Sequence, residues 1–169
     1  MERVGKALVH PPPTLNQQNE DFEMTDKNPA AAAASDPIAE RAVQAWHRIV
    51  TERDWDALPA LVVDDVTYHN PAQFEPYRGK EALVGVLRLV FSIFEDFQYL
   101  RRFDGPEGTA LEFTARVGED TLFGIDLVRF DAAGKMVDLV VMLRPADVVA
   151  KLGAEAARRM AAASEGGAA

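Results

Sequence analysis

Few residues in this 169-residue chain combine reactive side chains with an environment that would make them reactive, and Asp126 stands first among them. In the segment Thr121–Phe130 one alternation reads Leu122, Gly124, Asp126, Val128 and Phe130, and the other reads Phe123, Ile125 and Leu127. The carboxyl therefore sits among apolar side chains whichever face is buried. An ionised carboxylate there is costly unless it is paired or protonated. Desolvation raises its pKa toward working pH, which is the condition for general acid–base catalysis. The competing reading is a structural Asp satisfied by a hydroxyl or a backbone group.

Tyr68 and Asn70 alternate onto one face of a short extended segment, Val66–Asn70, and both can offer donors that orient a ligand. Asn70 precedes Pro71 and can equally organise the turn. Trp46 falls at a helical spacing that suits either a pocket wall or the core between helix and sheet, and the area an indole buries favours the core. His69 faces away from Tyr68 and Asn70 by parity. With His10 and His47 it makes three scattered histidines, and the chain has no Cys. No metal and no cofactor are expected from that set.

Charge and composition exclude several classes. The formal net charge is −9, from 18 basic and 27 acidic residues, and no basic cluster offsets it. Such a surface repels phosphate backbones, so nucleic acid is not an expected partner. No stretch reaches the ~18–20 apolar residues of a membrane span, and no apolar core of signal-peptide length precedes the prolines at 11–13. The expectation is a cytoplasmic protein without membrane contact.

The elements that must position these residues follow from periodicity. Residues 1–35 read as a disordered leader, poor in large apolar side chains, within which Met24 could be the natural start. Asp36-Pro37 opens a helix to about residue 51 carrying Ile38, Ala42, Ala45, Trp46 and Ile49. A second short helix follows Asp54, then the strand at 66–70, then a loop over 71–79. A third helix spans Glu81–Phe94. From there the period becomes two: Phe97, Tyr99 and Phe103 alternate, as do Leu111, Phe113, Ala115 and Val117, then Thr121–Phe130 and Met136–Leu143. Pro145 opens a last helix to about Ala162. One domain over 36–162 is expected, with a disordered tail at 163–169.

Helices gathered on one face of an antiparallel sheet make an α+β fold, and a strongly curved sheet would enclose a cone-shaped pocket. Phe123, Ile125 and Leu127, joined by Val140 and Met142 on the next strand, lie on the face opposite the helices. Apolar residues on both faces imply a sheet covered on both sides. The chain's own helices can cover only one, so a homodimer through the outer face is expected.

Several runs resemble nuclear transport factor 2-like proteins: Arg53-Asp54-Trp55-Asp56-Ala57-Leu58, Asp64-Asp65-Val66-Thr67-Tyr68-His69-Asn70-Pro71, Tyr77-Arg78-Gly79-Lys80, and above all Phe123 through Lys135. The resemblance covers about residues 37–160. It implies the cone-shaped, cystatin-like fold of SnoaL-like polyketide cyclases, ketosteroid isomerases and limonene epoxide hydrolases, whose homodimers pack through the outer sheet face. Against the ketosteroid isomerases, Asp126 matches the Asp that donates to the oxyanion. Trp46 stands where they carry a helix-1 Tyr, and Asn70 stands where they carry the base. Against the epoxide hydrolases, Tyr68 and Asn70 keep a Tyr-x-Asn pattern. The last-strand Asp is replaced by Val141, and Arg116 falls on the opposite strand face. Against the cyclases, Asp126 fits the acid–base residue, but 109–117 offers no partner His.

The expected function is therefore a SnoaL-like isomerase, cyclase or lyase without a cofactor, acting on a small apolar carbonyl compound. Asp126 would transfer the proton, Tyr68 and Asn70 would orient the substrate, and Trp46, Phe113, Val141 and Leu143 would form the walls. Two further readings stay open: a non-catalytic module that binds a hydrophobic ligand or dimerises, and an epoxide-type hydrolase with Tyr68 and Asn70 holding a water.

Overall fold

The computed structural model describes residues 36–166. The expectations of a disordered leader over 1–35 and of a start at Met24 lie outside the described residues. Asp36 accepts the Ile38 N–H at 2.9 Å, and Pro37 occupies the first turn of α1 (Pro37–Glu52). An Asp cap followed by Pro satisfies one orphan donor and omits another. The helix buries Ala42, Val43, Trp46, Ile49 and Val50 along one stripe. It ends at Arg53 in the left-handed conformation, whose guanidinium donates to the Phe94 carbonyl at 2.9 Å.

The expected second helix shrinks to a single turn, α2 (Leu58–Leu61), with Pro59 in that turn, where its missing N–H has no intrahelical partner to lose. Strand β1 (Val62–His69) starts four residues before the expected Val66, because Val62 and Val63 favour the extended chain. The segment 71–79, expected as loop throughout, contains the two-residue strand β2 (Tyr77–Arg78), paired with Thr67 and Tyr68. Then come α3 (Lys80–Ile93), β3 (Glu95–Gly105), β4 (Gly108–Val117), β5 (Asp120–Phe130), β6 (Met136–Arg144) and α4 (Ala146–Gly166). The last helix runs four residues past the expected end at Ala162. Residues 163–166 of the expected tail are thus its final turn, and 167–169 lie outside the described residues.

The α+β architecture is as expected: a curved, unclosed sheet in the order β2-β1-β6-β5-β4-β3, with four helices. Among the described strands only β1 and β6 run parallel. Strand β4 alternates buried and half-buried residues along its whole length. Leu111, Phe113, Ala115, Leu122, Val128 and Leu139 from the sheet are buried in one core with Trp46, Ile49, Leu83, Leu87 and Val148 from the helices.

Two irregularities change which residues face inward. The register between β3 and β4 slips between Tyr99 and Arg101. Beyond the slip Phe103 pairs with Ala110, not with an inward-facing residue, and is 53% exposed. The single alternation Phe97, Tyr99, Phe103 is therefore broken: the first two face the core and Phe103 joins the outer face. A second slip, between Arg129 and Phe130 on β5, leaves Met136 fully buried at the start of β6.

Candidate active site

Cross-strand register builds the site in two rows on the inner face. Leu111, Asp126 and Val141 lie side by side on β4, β5 and β6. The next row is Tyr99, Phe113, Gly124 and Leu143. Gly124 is needed there, because a Cβ on it would overlap the Phe113 ring and the Leu143 side chain. The missing side chain lets Phe113 lie over β5 beside Asp126.

Asp126 is 5% exposed. Its Oδ2 accepts the Tyr99 hydroxyl at 2.8 Å. Burial among apolar neighbours pushes its pKa up to about 7, while the Tyr99 hydrogen bond acts in the opposite direction. Both its ionised and its neutral form are therefore accessible near neutrality. The Tyr99 phenol is held well above its ordinary value, first by burial and then by the nearby carboxyl. Tyr68 is raised too, by burial and then by Asp126 and Tyr77. Both phenols stay protonated; Tyr99 donates to Asp126, and Tyr68 keeps a proton it can donate.

Asp126 and Tyr68 open on a cavity of about 620 Å³, and Tyr99 stands behind the carboxyl. All seven sequence-predicted site residues line it: Asp126, Asn70, Tyr68, Trp46, Phe113, Val141 and Leu143. Tyr68 is buried and stacks on Tyr77 with ring centroids 6.1 Å apart. Its hydroxyl makes no hydrogen bond among the described residues. Asn70 organises the turn and also lines the cavity. Its Oδ1 accepts the Ala72 N–H at 2.7 Å and so organises the turn, which leaves its amide NH₂ as the group it can offer the cavity.

Trp46 is likewise both core and wall, 1% exposed. Its buried Nε1–H lies beside the Tyr99 hydroxyl without reaching hydrogen-bonding geometry, and it has no partner among the described residues. His69 turns away as expected and sits 3.4 Å from Asp138. Arg116 is occupied by Glu95 and Asp96, and Val141 is Asp126's cross-strand neighbour. Among the described residues no second carboxylate or arginine acts on Asp126.

Tyr99 is the residue that sequence reasoning missed. It was legible only as part of an alternating strand. A phenol on an inward-facing position needs a partner for its hydroxyl, and that was the available signal. The partner could not be named, because it lies two strands away in a register that a bulge displaces.

Comparison with known proteins agrees with this geometry. A SnoaL-like domain model matches residues 43–139. A steroid delta-isomerase from Pseudomonas aeruginosa is 37% identical, with a TM-score of 0.73, covering 77% of this chain and 96% of that one. An uncharacterised protein conserved in bacteria, with a cystatin-like fold, from Silicibacter pomeroyi is 28% identical; its TM-score is 0.66, with 70% and 84% covered. An NTF2-like protein of unknown function from Mesorhizobium loti shares the fold at 16% identity and a TM-score of 0.56, with 65% and 96% covered. Among curated proteins there is no significant match. The family match runs from α1 through β6, the elements that carry Trp46, Tyr68 and Asp126, and the chain belongs to the SnoaL-like domain family of nuclear transport factor 2-like proteins.

Proposed function

We propose that this cavity performs acid–base chemistry on an apolar carbonyl compound, with Asp126 as the proton carrier. One observation carries the reading: a carboxyl with a pKa near 7 lies in an apolar cavity, one oxygen held by Tyr99 and the other left for a substrate. Asp126 Oδ1 takes a proton from the carbon next to the carbonyl, and the electron pair moves onto the carbonyl oxygen as an enolate. The Tyr68 hydroxyl and the Asn70 NH₂ are donors suited to that oxygen. Such donors, fixed before reaction in an apolar cavity, are worth more than they would be in water. Asp126 then returns the proton to carbon. In a β,γ-unsaturated ketone the enolate extends over the double bond, and return of the proton to the γ carbon gives isomerisation. If the enolate carbon instead attacks a second carbonyl, a C–C bond closes the ring and Asp126 gives the proton to the resulting alkoxide oxygen. The resemblance to a protein described as a steroid delta-isomerase supports the first outcome.

A second reading has its own support. Asn70 cannot act as a base, and its Oδ1 is committed to the turn, which suits a module that binds a hydrophobic ligand without turning it over. The two readings separate in one experiment. Apolar ketones, lactones and polycyclic phenols are screened for a rise in melting temperature, and each hit is incubated with the protein in D₂O. Binding with deuterium incorporation next to the carbonyl is the result expected of the enzyme. Binding without incorporation supports the module and contradicts the proton-transfer reading.

The reading extends to the outer sheet face, where a second copy of the chain is the proposed partner. Phe103, Ala110, Leu127 and Val140 form one apolar row across β3, β4, β5 and β6. Phe123, Ile125 and Met142 stand exposed beside it, Met142 at 56%. None of the described helices is long and apolar enough to cross a membrane.

A further inference from the structure

We propose that ligands enter the cavity through a slot between α3 and α4 whose width is set by two glycines, Gly85 and Gly153, and that these residues decide how long a ligand the site accepts. The inference rests on the reading of the cavity as a site for apolar carbonyl compounds.

Both glycines line the cavity, and both lie inside helices, not at their caps. Glycine weakens a helix interior relative to alanine, so its presence there calls for a reason. The usual reasons are missing. Neither residue has the positive φ that excludes side chains, and a Cβ added at either would meet no atom within 4 Å. Backbone geometry and packing therefore both permit alanine. What a side chain would occupy is open space at the rim, where the neighbouring lining positions are also small: Ala82 on α3, and Ala156 and Ala157 on α4.

The inner end supplies an independent sign of a ligand. Tyr68 is 4% exposed, lines the cavity, and carries a hydroxyl that makes no hydrogen bond among the described residues. A buried donor without a partner is costly, and an acceptor on a ligand would satisfy it. The two ends together describe the molecule. It carries an acceptor oxygen at the inner end and an apolar body that runs outward, with its far end passing between Gly85 and Gly153. That is an elongated, single-headed hydrophobe, not a compact one enclosed on all sides.

The test compares 2-heptanone with 2-tridecanone, titrated calorimetrically into the full chain and into its Gly153→Ala, Gly153→Leu and Gly85→Leu variants. In the wild type the longer ketone binds tighter, by up to about fourfold for each further methylene that leaves water. In the two Leu variants 2-heptanone keeps its affinity within about twofold while 2-tridecanone weakens about tenfold or more, since the lost contacts are those of the outer methylenes. Gly153→Ala melts no lower than the wild type, because alanine favours the helix, so a damaged fold does not account for the loss. Unchanged binding of 2-tridecanone in both Leu variants would overturn the slot, as would equal weakening of both ketones. A wild type that binds 2-heptanone and 2-tridecanone equally also overturns it, while leaving the carbonyl site standing. A wild type that binds neither overturns the carbonyl reading itself, and the slot falls with it.

Discussion

The Tyr99 hydroxyl donates to Asp126 Oδ2 across 2.8 Å, reaching from β3 over the intervening β4 to β5. The phenol fixes one carboxyl oxygen and leaves the other to the cavity. It also opposes the rise in pKa that burial imposes on Asp126. In the proposed mechanism Tyr99 is a positioning residue that both aims the carboxyl and sets its working pH.

Tyr99→Phe removes that donor and keeps the ring. Without the hydrogen bond the ionised carboxylate loses support, so the Asp126 pKa rises above its value of about 7. If Asp126 acts as the base, the acidic limb of the rate against pH moves to higher pH. A rate profile, or a ¹³C titration of the carboxyl, checks this. A merely structural Tyr99 would lower stability and leave the limb in place.

Asp126 should also make stability depend on pH. Its folded pKa is raised, from 3.8 to about 7, so between these values the native state holds a proton that the unfolded chain has released. Stability therefore falls as pH rises through this window and levels off above pH 7. Asp126→Asn removes the charge. It should stabilise the protein above pH 7, by up to a few kcal/mol on the linkage scale of ~1.4 kcal/mol per pKa unit. The difference should shrink toward pH 4. Urea unfolding at pH 5 and pH 8 provides the measurement, and a wild type more stable at pH 8 than the variant would contradict it.

Gly124→Ala tests the packing that brings Phe113 against β5. The new methyl would overlap Phe113 and Leu143. Overpacking of this kind costs ~1–3 kcal/mol, read as a lower urea midpoint. The same change narrows the cavity floor beside Asp126, so ketone binding should weaken together with stability. An unaltered midpoint would show that the two side chains yield freely.

Much of this arrangement is legible in the sequence alone. The alternation through Leu122, Gly124, Asp126 and Val128 places the carboxyl inside, and the structure keeps it there. Asp36-Pro37 marks the start of α1 because cap chemistry is local. What escaped the sequence depends on register. The slip after Tyr99 sends Phe103 outward and brings Tyr99 toward Asp126, and no local pattern announces a bulge. The short β2 escaped for a similar reason: Tyr77 and Arg78 are extended only because Thr67 and Tyr68 pair with them. Trp46 was divided between core and wall, and it proves to be both, since the cavity is a gap in the core.

The outer face carries a prediction about assembly. Light scattering at micromolar concentration should give the mass of a dimer. Ile125→Glu places a charge among Phe123, Leu127 and Met142, and should shift the mass to that of a monomer, because an unpaired charge is not buried without penalty. A monomeric wild type would refute the proposed partner.

The central claim is that Asp126 moves a proton to and from carbon, and the most direct measurement follows that proton. The wild type and Asp126→Asn are incubated in D₂O with a ketone that both bind, and deuterium at the carbon next to the carbonyl is followed by NMR. Removing a positioned general base typically slows transfer by ~10²–10⁴-fold, and that loss, with ketone affinity retained, is the result expected. Equal deuterium incorporation by the two proteins would contradict the account.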